Sequence, residues 1–404
     1  MNNSKKKFIW NAIGTIINSF LSLFLLMIVT RKNGVDSSGL FSQLFSFSLI
    51  LQIVSNYGTR IYQVTDVKEQ YSFNQYLSSK ILTSVISLII MCIYILINNY
   101  DSAFFIVGVN LMLLRIIETF SDVFYAQFQK EDRLDYVGLS LTIKSISYLA
   151  VFVIADVVTG NLIISTCLAL FSTFMVFLFF DLTIIKKFNK IRFDFNFNIY
   201  NTSKYIFLYN FVTLFILNLP RFLTSNISLT ELGYLGILMM IPTVISLLCQ
   251  FILQPKIITI TNLYHQQNKK KLKKEIRIVI IILSISCIFS SLLAITIGDK
   301  VLSLLYAIPF EKYKMTFVIL ILAGTFNSFS AVFSNVLVIA RKMAIQLVLY
   351  LLVLLVGTII IQLLSVKYGM NGIFIGFCFL MLFQFILFYF MYLLTLREMA
   401  KSEK

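Results

Sequence analysis

The stretch "VNLMLLRIIETFSDVFYAQF", residues 109–128, is a long apolar run that contains three charged side chains, Arg115, Glu118 and Asp122. A helix of about 20 residues crosses the ~30 Å hydrocarbon core of a membrane. The three charges are three and four positions apart, so a helix places them within an arc of about 60°. A charge at the bilayer centre costs about 2.5 kcal/mol or more. We therefore expect this face to point into the protein.

The rest of the chain has the same character as this stretch. Of the 404 residues, 59% are hydrophobic and only 13% are charged, which is not the composition of a soluble domain. Apolar runs of about 20 residues recur along the whole length. The sequence predicts an all-α polytopic membrane protein with about twelve transmembrane helices, at residues 8–30, 38–59, 78–98, 103–128, 138–158, 161–183, 205–223, 233–254, 276–298, 315–339, 346–366 and 371–396.

The distribution of basic residues predicts the orientation. Most of the 34 Lys and Arg residues fall in the loops on the side of the N-terminus, and loops rich in these residues stay in the cytoplasm. We assign Arg60, Lys68 and Lys80 to one such loop, and both termini to the cytoplasm. Only Arg115 and Lys144 are assigned to neither side and are left inside the membrane. The net charge of +16 therefore reflects topology, and we expect no nucleic-acid partner.

Several classes of chemistry are excluded by residue counts. The single histidine, His265, cannot build a multi-histidine metal site, and the five cysteines are spread over separate spans. The chain has no P-loop and no G-x-G-x-x-G motif. We expect no catalytic residues, no metal and no cofactor, and we predict that the protein is not an enzyme.

The chain divides into two halves at its longest central polar segment, "KKFNKIRFDFNFNIYNTSK", residues 186–204. We predict an N-terminal lobe of six helices (1–185), a cytoplasmic linker (186–204) and a C-terminal lobe of six helices (205–404), related by pseudo-symmetry around a central cavity. Within the linker, Phe193, Phe195 and Phe197 alternate with polar residues, which favours an extended strip at the membrane surface.

The first helix of each half carries a polar stripe. Residues Asn11, Gly14, Thr15, Asn18 and Ser22 share one face of span one, and Asn210, Thr213 and Arg221 share one face of span seven. Lipid cannot hydrogen-bond such groups. Either these faces contact other helices through polar side chains or they line a water-filled cavity. For the second case we predict lining by Asn11, Thr15, Asn18, Asn210 and Thr213, with Leu21 and Leu214 facing lipid.

Five stretches resemble one known family. Residues 217–260, "LNLPRFLTSNISLTELGYLGILMMIPTVISLLCQFILQPKIITI", resemble the span seven to eight region of Wzx-type polysaccharide flippases, within the multidrug, oligosaccharidyl-lipid and polysaccharide exporter superfamily. Shorter matches are "RKNGVDSSGLFSQLFSF" (31–47), "YGTRIYQVTDVKEQ" (57–70), "LYAIPFEKY" (305–313) and "YGMNGIFIGF" (368–377). Their order and spacing over nearly the whole chain carry the resemblance.

This resemblance implies a flippase in the bacterial cytoplasmic (inner) membrane. Such a protein moves undecaprenyl-pyrophosphate-linked oligosaccharide units from the inner to the outer leaflet by alternating access, for O-antigen, lipopolysaccharide or capsule synthesis. The partners implied are this lipid-linked oligosaccharide, membrane lipid, a proton or sodium gradient, a polysaccharide polymerase and a chain-length regulator. The alternatives are a cation-coupled multidrug exporter of the same superfamily, and a membrane-embedded polymerase or glycosyltransferase.

The family also has cations that attract the pyrophosphate. A guanidinium offers paired donors that match phosphate oxygens. The candidates are Arg31, Arg60, Arg115, Arg221 and Lys256. Four of these residues also fit a second role: Arg31 and Arg221 match a position at the outer interface, and Arg60 and Lys256 match topology anchors on the cytoplasmic side.

The intramembrane charges predict a network. Asp122 and Lys144 each lie about 9 Å from the cytoplasmic end of their span, at ~1.5 Å per residue, so we expect them to pair. We expect Glu118 to pair with Arg115 until substrate arrives. Glu118, Asp122 and Lys144 then form either a purely structural network or one that couples flipping to an ion gradient.

Overall fold

The computed structural model describes residues 3–66, 70–224 and 227–401. Nearly all of these residues are helical, and no strand occurs in these ranges. The predicted all-α fold is confirmed.

The helices of the first half begin at the third residue. They are α1 (Asn3–Asn56), α2 (Thr59–Thr65), α3 (Phe73–Ile97), α4 (Ser102–Lys130), α5 (Leu134–Thr159) and α6 (Leu162–Val176), which continues through a π-helical turn (Phe177–Asp181) into α7 (Leu182–Ile185). Polar side chains cap the start of α3, α4 and α6, the last through Asn161. Ser72 and Gln75 form a reciprocal capping box at α3, and the Asp101 side chain accepts from the Phe104 N–H at α4.

The elements of the second half of the chain start with α8, the helix that contains the boundary between the two halves. The elements are α8 (Asn198–Asn218), a 3₁₀ turn (Leu219–Arg221), α9 (Leu229–Leu238), α10 (Met240–His265), α11 (Lys269–Leu293), a π-helical turn (Ala294–Gly298), α12 (Asp299–Tyr306), a 3₁₀ turn (Glu311–Tyr313), α13 (Lys314–Ile339) and α14 (Met343–Lys401).

The predicted spans all correspond to helix. Within the described residues, nine helical runs are long and apolar enough to cross a membrane. The first and last each contain two predicted spans, because α1 is broken at Gly34 (φ 86°) and α14 at Gly369 (φ 56°). The seventh span corresponds to the 21 residues of α8, which is not among the nine.

The chain folds into two compact units, Met1–Phe211 and Val212–Lys404. In the first unit α1 packs on α3, α4 and α5, and α5 packs on α6; in the second, α13 packs on α10, α11 and α14. The boundary falls inside α8, so the segment 186–204 belongs to the first unit.

The contact between α1 and α5 is a close approach of two backbones. A Cβ at Gly14 would lie 2.4 Å from the carbonyl oxygen of Gly138, and a Cβ at Gly138 would lie 2.2 Å from the carbonyl of Trp10. Only glycine fits at either position. The polar side chains near Gly14 are therefore held close to those of α5.

Candidate functional site: a polar cavity in the first unit

A cavity of about 470 Å³ lies within the first unit, between α1, α2, α4, α5 and α6. Its walls carry both charged and neutral polar groups. The lining residues include Asn11, Thr15, Asn18, Leu21, Gln52, Asn56, Arg60, Glu118, Asp122, Tyr125, Lys144 and Ser145.

The first half of α1 forms one wall. Asn11, Thr15 and Asn18 line the cavity, and the Asn18 Oδ1 accepts from the Ser145 Oγ of α5 at 3.0 Å. Leu21 also lines the cavity and is buried, so the prediction that it faces lipid is wrong. It lies only about 60° around the helix from Asn18, and the cavity is wider than the polar stripe.

The other two predicted lining residues lie elsewhere. Asn210 is half-buried on α8, and Thr213 belongs to the second unit. Neither is among the described residues that line this cavity.

Arg60 enters the cavity from α2. Its Nη1 donates to the Asp122 Oδ1 of α4, and the two side chains are 41% and 18% exposed. Arg60 is thus a partly hydrated cation that already holds a carboxylate.

Arg115 pairs with Glu118 on the same helix, as predicted, with 2.7 Å between Nη1 and Oε2. The Gln52 Nε2 donates to the same Oε2 at 2.9 Å. The Arg115 guanidinium lies 4.6 Å from the centroid of the Phe45 ring. Arg115 is buried behind the wall, and Glu118 is its partner on the cavity side.

Lys144 pairs with Asp181 of the π-helical turn. Its ammonium also donates to the Ser121 Oγ and to the Tyr125 hydroxyl. The second oxygen of Asp181 accepts from the Ser140 Oγ at 2.6 Å. The Lys144 ammonium is thus held by oxygen atoms from α4 and from the turn.

The predicted Asp122–Lys144 ion pair is therefore wrong. Asp122 and Lys144 lie at the same depth in spans four and five, which allows their side chains to meet. In the structure, however, each of them pairs with a residue of another element. Asp181 lies at the end of span six and reaches Lys144, and Arg60, assigned to a loop, reaches Asp122. The sequence analysis missed Asp181 and Ser140. The spacing of residues within one span shows which side chains share a face, but it does not show which other helix contacts that face.

The prediction that Lys80 lies in a cytoplasmic loop is also wrong, because Lys80 is 1% exposed on α3. Its Nζ donates to the Asn56 carbonyl at 2.6 Å and to the Thr59 Oγ1, so it binds the end of α1 and the start of α2. The sequence signal for this role is the spacing of Lys80, Thr83 and Ser87, which are three and four residues apart and therefore share one face of a helix. The last two donate to the carbonyls of Ser55 and Leu51.

The α1–α2 turn that Lys80 holds is also packed against α8. Tyr57 and Gly58 have positive φ values of 47° and 66°. The Tyr57 ring stacks on Phe207 with 4.4 Å between centroids, and a Cβ at Gly58 would lie 2.9 Å from Ile206. Arg60 comes two residues after Gly58. The contacts of this turn with α3 and α8 therefore fix the backbone position from which the Arg60 side chain enters the cavity.

The remaining predicted phosphate cations lie outside the cavity. Arg31 is exposed on α1, three residues before the break. Arg221 is buried in the second unit, where it donates to the Asn218 Oδ1 at 2.6 Å. Lys256 of α10 pairs with Glu275 of α11 at 2.7 Å. Of the five predicted cations, Arg60 lines the first-unit cavity, and Arg115 lies behind its wall, paired with the lining residue Glu118.

The charges around the cavity balance one to one. Arg60, Arg115 and Lys144 pair with Asp122, Glu118 and Asp181. Each of these cations therefore already has a carboxylate partner before any anion enters the cavity. No group of His, Cys, Asp and Glu side chains that could hold a metal occurs among the described residues.

Comparisons with known proteins agree with the fold and the resemblance. No family model matches the chain. It is 23% identical to the capsular polysaccharide biosynthesis protein CapF of Staphylococcus aureus, over 91% of this chain and 93% of that protein.

Solved structures with the same fold are transporters. An inward-facing multidrug resistance MATE family transporter of the MOP superfamily is 12% identical, with a TM-score of 0.79, over 98% of this chain and 100% of that chain. A MOP superfamily transporter from Pyrococcus furiosus is 14% identical, with a TM-score of 0.65, over 99% and 96%. The predicted resemblance is confirmed, and the chain has the MATE transporter fold.

Proposed function

We propose that this multi-pass membrane protein is a flippase for undecaprenyl-pyrophosphate-linked oligosaccharide units in cell-surface polysaccharide synthesis. Two findings support the class of substrate and the type of process. The relative from Staphylococcus aureus is a capsular polysaccharide biosynthesis protein that matches nearly the whole chain, and the fold is that of membrane transporters.

The observation that carries the proposal is the pair of arginine–carboxylate contacts at the cavity. Arg60 and Arg115 each hold one carboxylate, from Asp122 and Glu118, four residues apart on α4. A diphosphate offers the oxygen geometry that a guanidinium binds in place of a carboxylate. In this proposal the substrate headgroup replaces both carboxylates in turn.

The displaced carboxylates provide a route to coupling. A carboxylate that loses its guanidinium partner beside a bound diphosphate needs another cation, which a proton or a sodium ion can supply. In the proposal Asp122 and Glu118 are the groups that exchange their cationic partner when the diphosphate binds. This exchange links flipping to a proton or sodium gradient, while Lys144 stays paired with Asp181. Arg31, Arg221 and Lys256 lack this placement, so the proposal rests on Arg60 and Arg115.

A reconstituted flipping assay tests the proposal. Proteoliposomes with defined undecaprenyl-pyrophosphate oligosaccharides should show transfer between leaflets, with and without a proton or sodium gradient. Arg60→Gln and Arg115→Gln should abolish transfer while the protein stays folded. Arg397→Gln, an exposed arginine far along α14, is the matched control. Normal transfer in both cavity variants would overturn the assignment.

A cation-coupled multidrug exporter is the second candidate, because the fold is shared with a multidrug resistance transporter. Gradient-driven efflux of a cationic dye, with no transfer of the lipid-linked oligosaccharide, would favour it. Polymerised glycan made by the purified protein would instead reveal an enzyme.

A further inference from the structure

The segment between α7 and α8 contains a strip without helix or strand, residues 189–197, on the surface of the first unit. Its backbone is fixed to α3 at alternate residues. The Arg192 N–H donates to the Asn74 Oδ1 at 3.0 Å, and the Asp194 N–H donates to the Ser78 Oγ at 2.8 Å.

The strip carries three phenylalanines that protrude from the protein. Phe193, Phe195 and Phe197 are 74%, 53% and 67% exposed. The neighbouring isoleucines behave differently: Ile191 is half-buried against the core, and Ile199, in the first turn of α8, is fully buried. A row of exposed aromatic side chains on a fixed backbone marks an interaction surface.

The charges around this surface have one dominant sign. Lys186, Lys187, Lys190 and Arg192 are all exposed, and Asp194 is the one acidic residue of the strip. Clusters of basic residues next to a membrane attract anionic lipid headgroups. A buried protein interface, in contrast, is depleted in lysine.

The strip closely follows a candidate membrane span in the sequence. It begins four residues after Ile185, the last residue of a helical run, Leu162–Ile185, long and apolar enough to cross a membrane. The strip therefore lies at the level where a helix leaves the bilayer. Aromatic side chains flanked by lysine are favoured at that level.

We infer that this strip binds an anionic phospholipid surface. Phe193, Phe195 and Phe197 enter the boundary between headgroups and acyl chains, and the four basic side chains bind lipid phosphates. The contact fixes the start of α8 relative to the membrane surface. This contact with lipid does not depend on which substrate the protein transports.

Tryptophan fluorescence tests the apolar part of the inference. The chain has a single Trp, Trp10, so Trp10→Phe with Phe195→Trp places one reporter in the strip. In proteoliposomes the emission should be blue-shifted and quenched by acyl-brominated phospholipid. Gln129→Trp, exposed at the end of α4, is the control and should be quenched several-fold less. If Trp10→Phe does not fold, the difference spectrum between Phe195→Trp and wild type gives the same reading.

Lipid composition tests the charged part. Raising the share of phosphatidylglycerol in phosphatidylcholine vesicles should increase the quenching of the strip reporter, and Lys186→Gln/Lys187→Gln/Lys190→Gln should remove that increase. A reporter that emits as in water and resists brominated lipid would overturn the inference. Quenching that is the same at every phosphatidylglycerol content would overturn its anionic lipid selectivity.

Discussion

The ion pair between Lys144 and Asp181 shows how charges persist inside this protein. Both side chains are almost fully buried, and Ser121, Tyr125 and Ser140 supply further hydrogen bonds. A buried pair adds little net stability, but removing one partner leaves an uncompensated charge. The pair therefore constrains which substitutions the first unit tolerates.

We predict that Lys144→Met and Asp181→Asn each lower the free energy of unfolding by about 3–5 kcal/mol. The double variant Lys144→Met/Asp181→Asn should recover much of that loss, because no lone charge remains. Thermal unfolding of the purified protein in detergent measures both effects. Exchanging Asp122 and Lys144 should give no recovery, since these side chains do not pair. Additive losses in the double variant would contradict the prediction.

Asp122 competes with any anion for Arg60. We predict that Asp122→Asn strengthens binding of inorganic pyrophosphate up to about five-fold, because a partly exposed ion pair contributes ~1 kcal/mol or less. Arg60→Gln should abolish the binding. Isothermal titration of the purified protein measures both, with Asp132→Asn, at an exposed carboxylate in the α4–α5 turn, as the control. Weaker binding in Asp122→Asn would show that the carboxylate supports the site.

At the scale of elements, α3 holds the end of α1 through one polar face. Lys80, Thr83 and Ser87 donate to carbonyl groups in the last two turns of α1. The ammonium also complements the partial negative charge of a helix C-terminus. This face positions the turn from which Arg60 enters the cavity.

We predict that Lys80→Met lowers the free energy of unfolding by about 1–3 kcal/mol, the cost of leaving a buried carbonyl unsatisfied. Lys80→Arg should retain part of the stability and of pyrophosphate binding. Thr83→Val, which removes a neighbouring uncharged donor, should reduce stability with little effect on that binding. Denaturant unfolding and titration separate the two outcomes. Equal loss of binding in the methionine and valine variants would assign Lys80 a purely structural role.

The elements were predictable where length and composition determine them. Every predicted span is helical, because a run of about 20 apolar residues satisfies its backbone in lipid only as a helix. The polar face of α1 was also predictable from the sequence. Its residues Asn11, Thr15 and Asn18 lie on one cavity wall. Pairing within one helix follows from spacing alone, so Arg115–Glu118 was predicted correctly.

Contacts between helices were not predictable in the same way. Periodicity shows which face of a helix is polar, but not which other helix meets it. Asp181 and Arg60 came from elements outside spans four and five. Lys80 was assigned to a loop because lysine is frequent in cytoplasmic loops. Its long side chain instead reaches a backbone carbonyl from a buried position on α3. Leu21 was misplaced because a cavity extends beyond the polar stripe.

At the scale of the whole molecule, the cavity must be open to water for a charged substrate to enter. We predict that cysteines at Asn18 and Gln52 react with a membrane-impermeant thiol reagent, after replacement of the five native cysteines. A cysteine at Ile89, exposed on α3 and expected to face lipid, should not react. Mass spectrometry of the labelled protein in membranes measures this. Equal labelling at all three positions would contradict a water-filled cavity bounded by lipid-facing helices.

Helix α8 has a consequence for the position of Arg60. Its first turns pack through Ile206 and Phe207 against the turn that precedes Arg60. Because Gly58 leaves no space for even a Cβ beside Ile206, these turns of α8 cannot move toward the α1–α2 turn without displacing the guanidinium that holds Asp122.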